Sequence, residues 1–90
     1  MEYDVKDIQI IPVKPNNGLV GFANFVFQDS FFLSSVGVYT RPKGGYRLTY
    51  PTRKTSGENI PIYYPINKEV ARVIEEAVGT KFEKIYGSSR

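Results

Sequence analysis

Residues 19–27, Leu-Val-Gly-Phe-Ala-Asn-Phe-Val-Phe, make an almost unbroken apolar run directly behind Asn16-Asn17-Gly18, and no other stretch limits the fold so strongly. A short run rich in Val and Phe and bounded by turn residues reads as a central strand covered on both faces. Asn and Gly accept positive φ at little cost, so the Asn-Asn-Gly turn predicts a hairpin that lays this strand against the segment before it. That segment, residues 5–13, alternates: Val5, Asp7, Gln9 and Ile11 on one side, Lys6, Ile8, Ile10 and Pro12 on the other, as in a partly exposed strand. Pro12 and Pro15 end it. Gln28-Asp29 is the next turn, and residues 30–39 supply a third strand.

Arg41-Pro42-Lys43-Gly44-Gly45 punctuates the chain again and lines a loop with two cations. In residues 46–50 Tyr46, Leu48 and Tyr50 share one face of a short fourth strand while Arg47 and Thr49 face the other, which leaves Arg47 exposed opposite the aromatics. Arg53-Lys54 reads as a turn, and residues 60–64 as a short strand that Pro61 confines to an edge. Pro65-Ile66-Asn67 then leads into the one convincing helix, with Asn67 as N-cap and Glu69 in the first turn, where a negative charge suits the helix dipole. Val70, Ile74, Ala77, Val78, Phe82 and Ile85 recur at spacings that make one apolar face for packing on the sheet. Gly79 costs about 1 kcal/mol against Ala inside a helix, so a bend or fraying is expected after Val78.

Strands first and one helix last define an α+β class: an antiparallel sheet of four to five strands with a C-terminal helix packed on one face. Ninety residues suffice for a single domain over 1–90, with residues 87–90 as a loose tail. One helix covers only one face of such a sheet, and strands two and three are apolar on both. A second copy of the chain, by covering the remainder or pairing an edge strand, would bury what is left, so a homodimer is expected.

The chain contains no cysteine and no histidine. Thiolate nucleophiles, disulfides, the usual zinc sites and histidine acid–base chemistry are therefore closed to it. Glu75-Glu76 and Asp29 are the candidate acids, but adjacent helix residues diverge by about 100 degrees and Asp is common in turns. Gly44-Gly45 lacks the strand-to-helix setting of a phosphate loop. No enzymatic activity, cofactor or metal is expected. The acidic N-terminus is followed by no long apolar run, so neither a signal peptide nor a membrane span is expected, and a cytoplasmic location follows by default.

Charge is unevenly spread. Between Asp29 and Glu58 there is no acid, yet Arg41, Lys43, Arg47, Arg53 and Lys54 all fall there, so this interval carries +5 and the rest of the chain −2. Such concentration draws polyanions, nucleic acid above all, although five cations on hairpin turns can equally be solvated surface. A protein-binding adaptor that uses a sheet edge or helix face, with the basic loops serving solubility, is the alternative reading.

Residues 19–31, then Pro51-Thr52-Arg53-Lys54-Thr55, Pro65-Ile66-Asn67 and Glu76-Ala77-Val78, occur in the order and near the spacing of the stage V sporulation protein G (SpoVG) family, which the chain resembles over residues 5–86. The resemblance implies a dimeric α+β domain that binds DNA with sequence preference, and sometimes RNA, in bacterial regulation of septation and sporulation. It carries over Arg53 and Lys54 as nucleic-acid contacts. Arg41, Lys43 and Arg47 extend the positive surface if their segments lie near that turn. The chain departs from the family pattern at Ser34-Ser35-Val36-Gly37, where a His-Asp-hydrophobic-Arg stretch is usual. It departs again at the 41–45 loop, in the shorter Thr55-Ser56-Gly57-Glu58-Asn59 turn, and at Tyr64, where His is usual.

Overall fold

The computed structural model describes residues 3–86; the tail expected at 87–90 lies outside them. Strands β1 (Val5–Asn16), β2 (Leu19–Phe27), β3 (Phe31–Thr40) and β4 (Tyr46–Thr49) form an antiparallel meander in the order β1-β2-β3-β4. Strands β5 (Thr52–Thr55) and β6 (Glu58–Pro61) pair only with each other, and α1 (Lys68–Tyr86) closes the described chain. The fold is α+β with the helix on one sheet face. The sheet itself has four strands, and the remaining two stand apart as a hairpin.

The first turn forms as its residues dictate. Asn17 and Gly18 both take positive φ, 54° and 91°, which Asn tolerates and Gly adopts freely. Residue 19 then pairs with Asn16, and β2 returns along β1.

Strand β2 buries Gly21, Ala23 and Phe25 on one face. With Val36 and Val38 of β3 and Ile74, Val78 and Phe82 of α1, Ala23 and Phe25 make the buried core. The opposite face has no such layer: Phe22, Asn24 and Val26 are only half-buried, while Ile11 and Phe32 are 51% and 65% exposed. A strand expected to be covered on both sides is covered on one, because the described residues offer one helix and no second layer.

Strand β1 departs from simple alternation. Its pairing with β2 shifts between Lys6 and Gln9, and Asp7 takes a φ of 54°. This bulge adds a residue and reverses the phase of the strand. Val5 therefore joins Ile8 and Ile10 against the core, while Lys6, Gln9 and Ile11 share the helix-free face with Val26, Asn24 and Phe22. A second bulge sits opposite Asn24. There Ser35 has a φ of 63° and its backbone N–H donates to Asn24 Oδ1 at 3.1 Å.

Asn67 caps α1: its Oδ1 accepts from the backbone N–H groups of Glu69, at 2.8 Å, and Val70, at 3.3 Å. The helix runs unbroken through Gly79, where a bend or fraying was expected. A side chain there would place Cβ 3.2 Å from the Tyr46 ring, so the missing side chain lets β4 approach rather than ending the helix. Ile85, expected on the packed face, is 45% exposed. Tyr86 packs on Phe82 instead, their rings 5.0 Å apart.

Candidate nucleic-acid interface

Beyond β4 the chain leaves the sheet at Tyr50-Pro51, and the β5–β6 hairpin is fastened at its base by Ile62 N–H donating to Pro51 O at 3.0 Å. Every residue of β5 and β6 is exposed. The reversal falls at Ser56-Gly57, where Gly57 has a φ of 89°. Arg53 and Lys54 thus sit within strand β5 and not on a turn, which corrects the expectation from the sequence. The extended segment expected at residues 60–64 is also displaced. Strand β6 begins at Glu58, and Pro61 closes it, where a missing N–H costs the ladder nothing further.

Strand placement changes what the two cations can do. Arg53 lies opposite Ile60 and Lys54 opposite Asn59, and successive side chains on a strand point to opposite faces. The hairpin therefore offers one cation on each side of a thin two-stranded ribbon. Among the described residues, no ion pair holds either of them. A planar guanidinium can fork onto phosphate or the O6/N7 edge of guanine, and an ammonium adds a point charge.

The other three candidate cations are not gathered there. Arg41 turns toward α1, where its Nη2 donates to both carboxylate oxygens of Glu75 at 3.1 Å and its Nε to Tyr46 O at 3.0 Å. Lys43 is exposed on the 41–45 loop, which enters β4 at the end opposite to the hairpin. Arg47 lies on the helix-free face, its guanidinium 4.8 Å from the centre of the Tyr39 ring. Tyr46 and Leu48 pack against the core on the other side, as the alternation predicts. The 41–45 loop and the hairpin thus leave β4 at its two ends, with the length of that strand between the basic segments.

The Arg41–Glu75 pair is half-exposed on both sides, so it contributes about 1 kcal/mol or less. Arg41→Ala should lower urea stability by no more than that and leave the salt dependence of any nucleic-acid binding unchanged.

An aromatic cluster lies where the hairpin leaves the sheet. Tyr50 and Tyr63 meet edge to face with centroids 6.0 Å apart, and the Tyr63 hydroxyl donates to Ser34 O. Burial, then Glu75 and Tyr63, push the Tyr50 phenol up to about 12, and its buried hydroxyl has no hydrogen-bond partner among the described residues. A phenol raised from an unfolded value of about 10 favours the protonated folded state. The associated stability is complete below pH 10 and is lost as pH rises from there to about 12. Burial also pushes the Tyr63 phenol up, against the hydrogen bond to Ser34 O, so urea midpoints across that range, with phenolate absorbance followed in parallel, should show this loss and late titration of Tyr50 and Tyr63.

From the sequence, Tyr46, Tyr50, Tyr63 and Tyr64 are candidates to stack on bases, with core or sheet-face packing the preferred reading; Phe31 is not among them. Phe31 and Tyr64 are 61% and 57% exposed and line one cavity. The consecutive Phe31-Phe32 behind a turn was the available signal, since neighbouring strand residues point to opposite faces.

A four-stranded antiparallel meander, one C-terminal helix on a single face and a separate cationic hairpin define a small α+β domain class. The SpoVG family pattern matches residues 3–84, and the chain belongs to that family. It is 32% identical over 82 residues to a protein of Phytoplasma australiense and 34% identical over 82 residues to one of Treponema denticola. Each alignment covers 90% of this chain, with 84% and 87% of the respective relative. Both relatives are named "Putative septation protein SpoVG". Among the described residues, no helix is long and apolar enough to cross a membrane.

Proposed function

We propose that this protein is a non-enzymatic, cytoplasmic regulator that binds DNA with sequence preference, and also RNA, as a homodimer, in septation- or sporulation-type control. The observation that carries the reading is the β5–β6 hairpin: eight strand residues, all exposed, with Arg53 and Lys54 held in no ion pair among the described residues. A lone two-stranded hairpin is marginal in water, and a polyanion laid along it supplies both a surface and countercharge. Its two cations stand at the positions the family resemblance assigns to contact. The test is equilibrium binding to duplex DNA and RNA at several salt concentrations. Log affinity should fall linearly with log salt; absence of binding to either moves the adaptor reading ahead.

The dimer reading rests on the helix-free face. Pairing places Ile11 beside Phe22 and Phe32 beside Val26, giving two apolar patches on either side of the Gln9–Asn24 row. A second copy laid on this face would cover both and place two hairpins on one assembly, which strengthens binding without any new contact. Sedimentation should show a dimer at micromolar concentration, and Phe32→Asp should shift it to monomer. A wild-type monomer at that concentration contradicts the reading.

A further inference from the structure

A cavity of about 310 Å³ opens beside the root of the hairpin, near the lower end of the range for small-ligand sites. Its walls are apolar and mostly aromatic. Tyr50 and Tyr63 form an inner wall held edge to face, and the Tyr63 hydroxyl is tied to the backbone of β3 at Ser34. Phe31 and Tyr64, each more than half exposed, stand at the rim. This is an aromatic slot with a fixed floor and two accessible rings.

The chain that forms the slot continues into the cationic hairpin. Tyr50 lines the cavity, and Arg53 follows three residues later, so the chain keeps it within about 10 Å. An aromatic slot beside a hairpin that carries a cation on each face suits a ligand that combines a flat ring with an anionic chain. A base stacked within a duplex has both faces covered and cannot enter; an unpaired base presents its π-face freely.

We infer that the cavity lined by Phe31, Tyr50, Tyr63 and Tyr64 takes one unpaired nucleobase of a strand whose phosphates run along the β5–β6 hairpin. The inference rests on the nucleic-acid reading of the hairpin and assigns to it a second, separable contact. Aromatic stacking supplies affinity with little sequence discrimination, while the cations supply the salt dependence. Phe31 and Tyr64 act as stacking platforms, and the buried tyrosines fix the depth of the slot.

The experiment compares labelled single-stranded DNA, single-stranded RNA and the same sequence as duplex DNA. Phe31→Ala and Tyr64→Ala should each lower single-strand affinity about tenfold to a hundredfold and leave duplex affinity and salt slope unchanged. Tyr64→Trp should restore the loss. A fluorescent base analogue in the strand should be quenched on binding wild type and less so on binding either alanine variant. Both rings are largely exposed, so thermal midpoints should confirm intact folds. If the hairpin variant Arg53→Ala with Lys54→Ala abolishes binding while the aromatic variants bind single strands normally, the slot is overturned and the hairpin reading stands. If wild type binds none of the three nucleic acids, both fall. If Phe31→Ala or Tyr64→Ala dissociates the dimer in sedimentation, the slot belongs to a second copy and the inference is overturned.

Discussion

Phe25→Ala should cost about 3–5 kcal/mol of folding free energy, measured as a lowered urea midpoint. Phe25 is fully buried in β2, and its face of the sheet carries the buried apolar core under α1. Removing the ring loses its transfer energy and leaves a void that close-packed Val and Ile neighbours fill only in part. In a domain of ordinary stability, about 5–15 kcal/mol, that is a large share of the total. Phe32→Ala is the control. It removes the same ring from β3 on the face that α1 does not cover, where Phe32 is 65% exposed. At protein concentrations too low for self-association its effect should stay within about 0.5 kcal/mol. Equal losses at the two positions would mean that the helix-free face is packed after all, contrary to the layer arrangement described.

The contrast between these phenylalanines also marks what could be read without a structure. The run through residues 19–27 predicts a strand and its neighbours correctly, because an apolar segment between turn residues has few alternatives. It does not reveal which face is covered, since both faces are apolar and only the number of available layers decides. The Asn17-Gly18 turn and the Asn67 cap were legible because each depends on local chemistry: left-handed φ in one case, a side-chain acceptor for free N–H groups in the other. The β1 bulge was not. One residue with positive φ at Asp7 reverses the phase of the strand, and Asp-Ile-Gln carries no unambiguous mark of it.

The site was legible in part for a related reason. Charge counted along the chain shows an interval without acids between Asp29 and Glu58, but folding brings Glu75 onto Arg41 from α1. An acid-free interval in sequence is not acid-free in space. Likewise, Arg53 and Lys54 were read as a turn because Pro51 and Gly57 flank them, whereas the pairing of Arg53 with Ile60 and Lys54 with Asn59 makes them strand residues. Their exposure follows from a hairpin that pairs with no third strand, a property of the assembled sheet and of no local motif. Gly79 shows the converse error: a residue that weakens a helix by propensity is retained where Tyr46 needs its space.

The second large effect is expected at the hairpin. Arg53 and Lys54 are exposed and, among the described residues, held in no ion pair, so their truncation should leave the fold intact, unlike that of Phe25. Each charge-assisted contact to phosphate is worth about 1.5–3 kcal/mol, so losing even one lowers affinity roughly tenfold to a hundredfold. Two lost phosphate contacts also release fewer counterions, reducing the log–log salt slope on duplex DNA by about 1.8 for each subunit that engages. Arg41→Ala, by contrast, should leave that slope unchanged, because its guanidinium is committed to Glu75 and Tyr46.

The most direct measurement is therefore the salt dependence of nucleic-acid binding by wild type and by Arg53→Ala with Lys54→Ala, with circular dichroism confirming that both are folded. The account predicts salt-sensitive binding by wild type, together with a loss of at least tenfold and a shallower slope in the variant. Unchanged affinity and an unchanged slope in a folded double variant would contradict it.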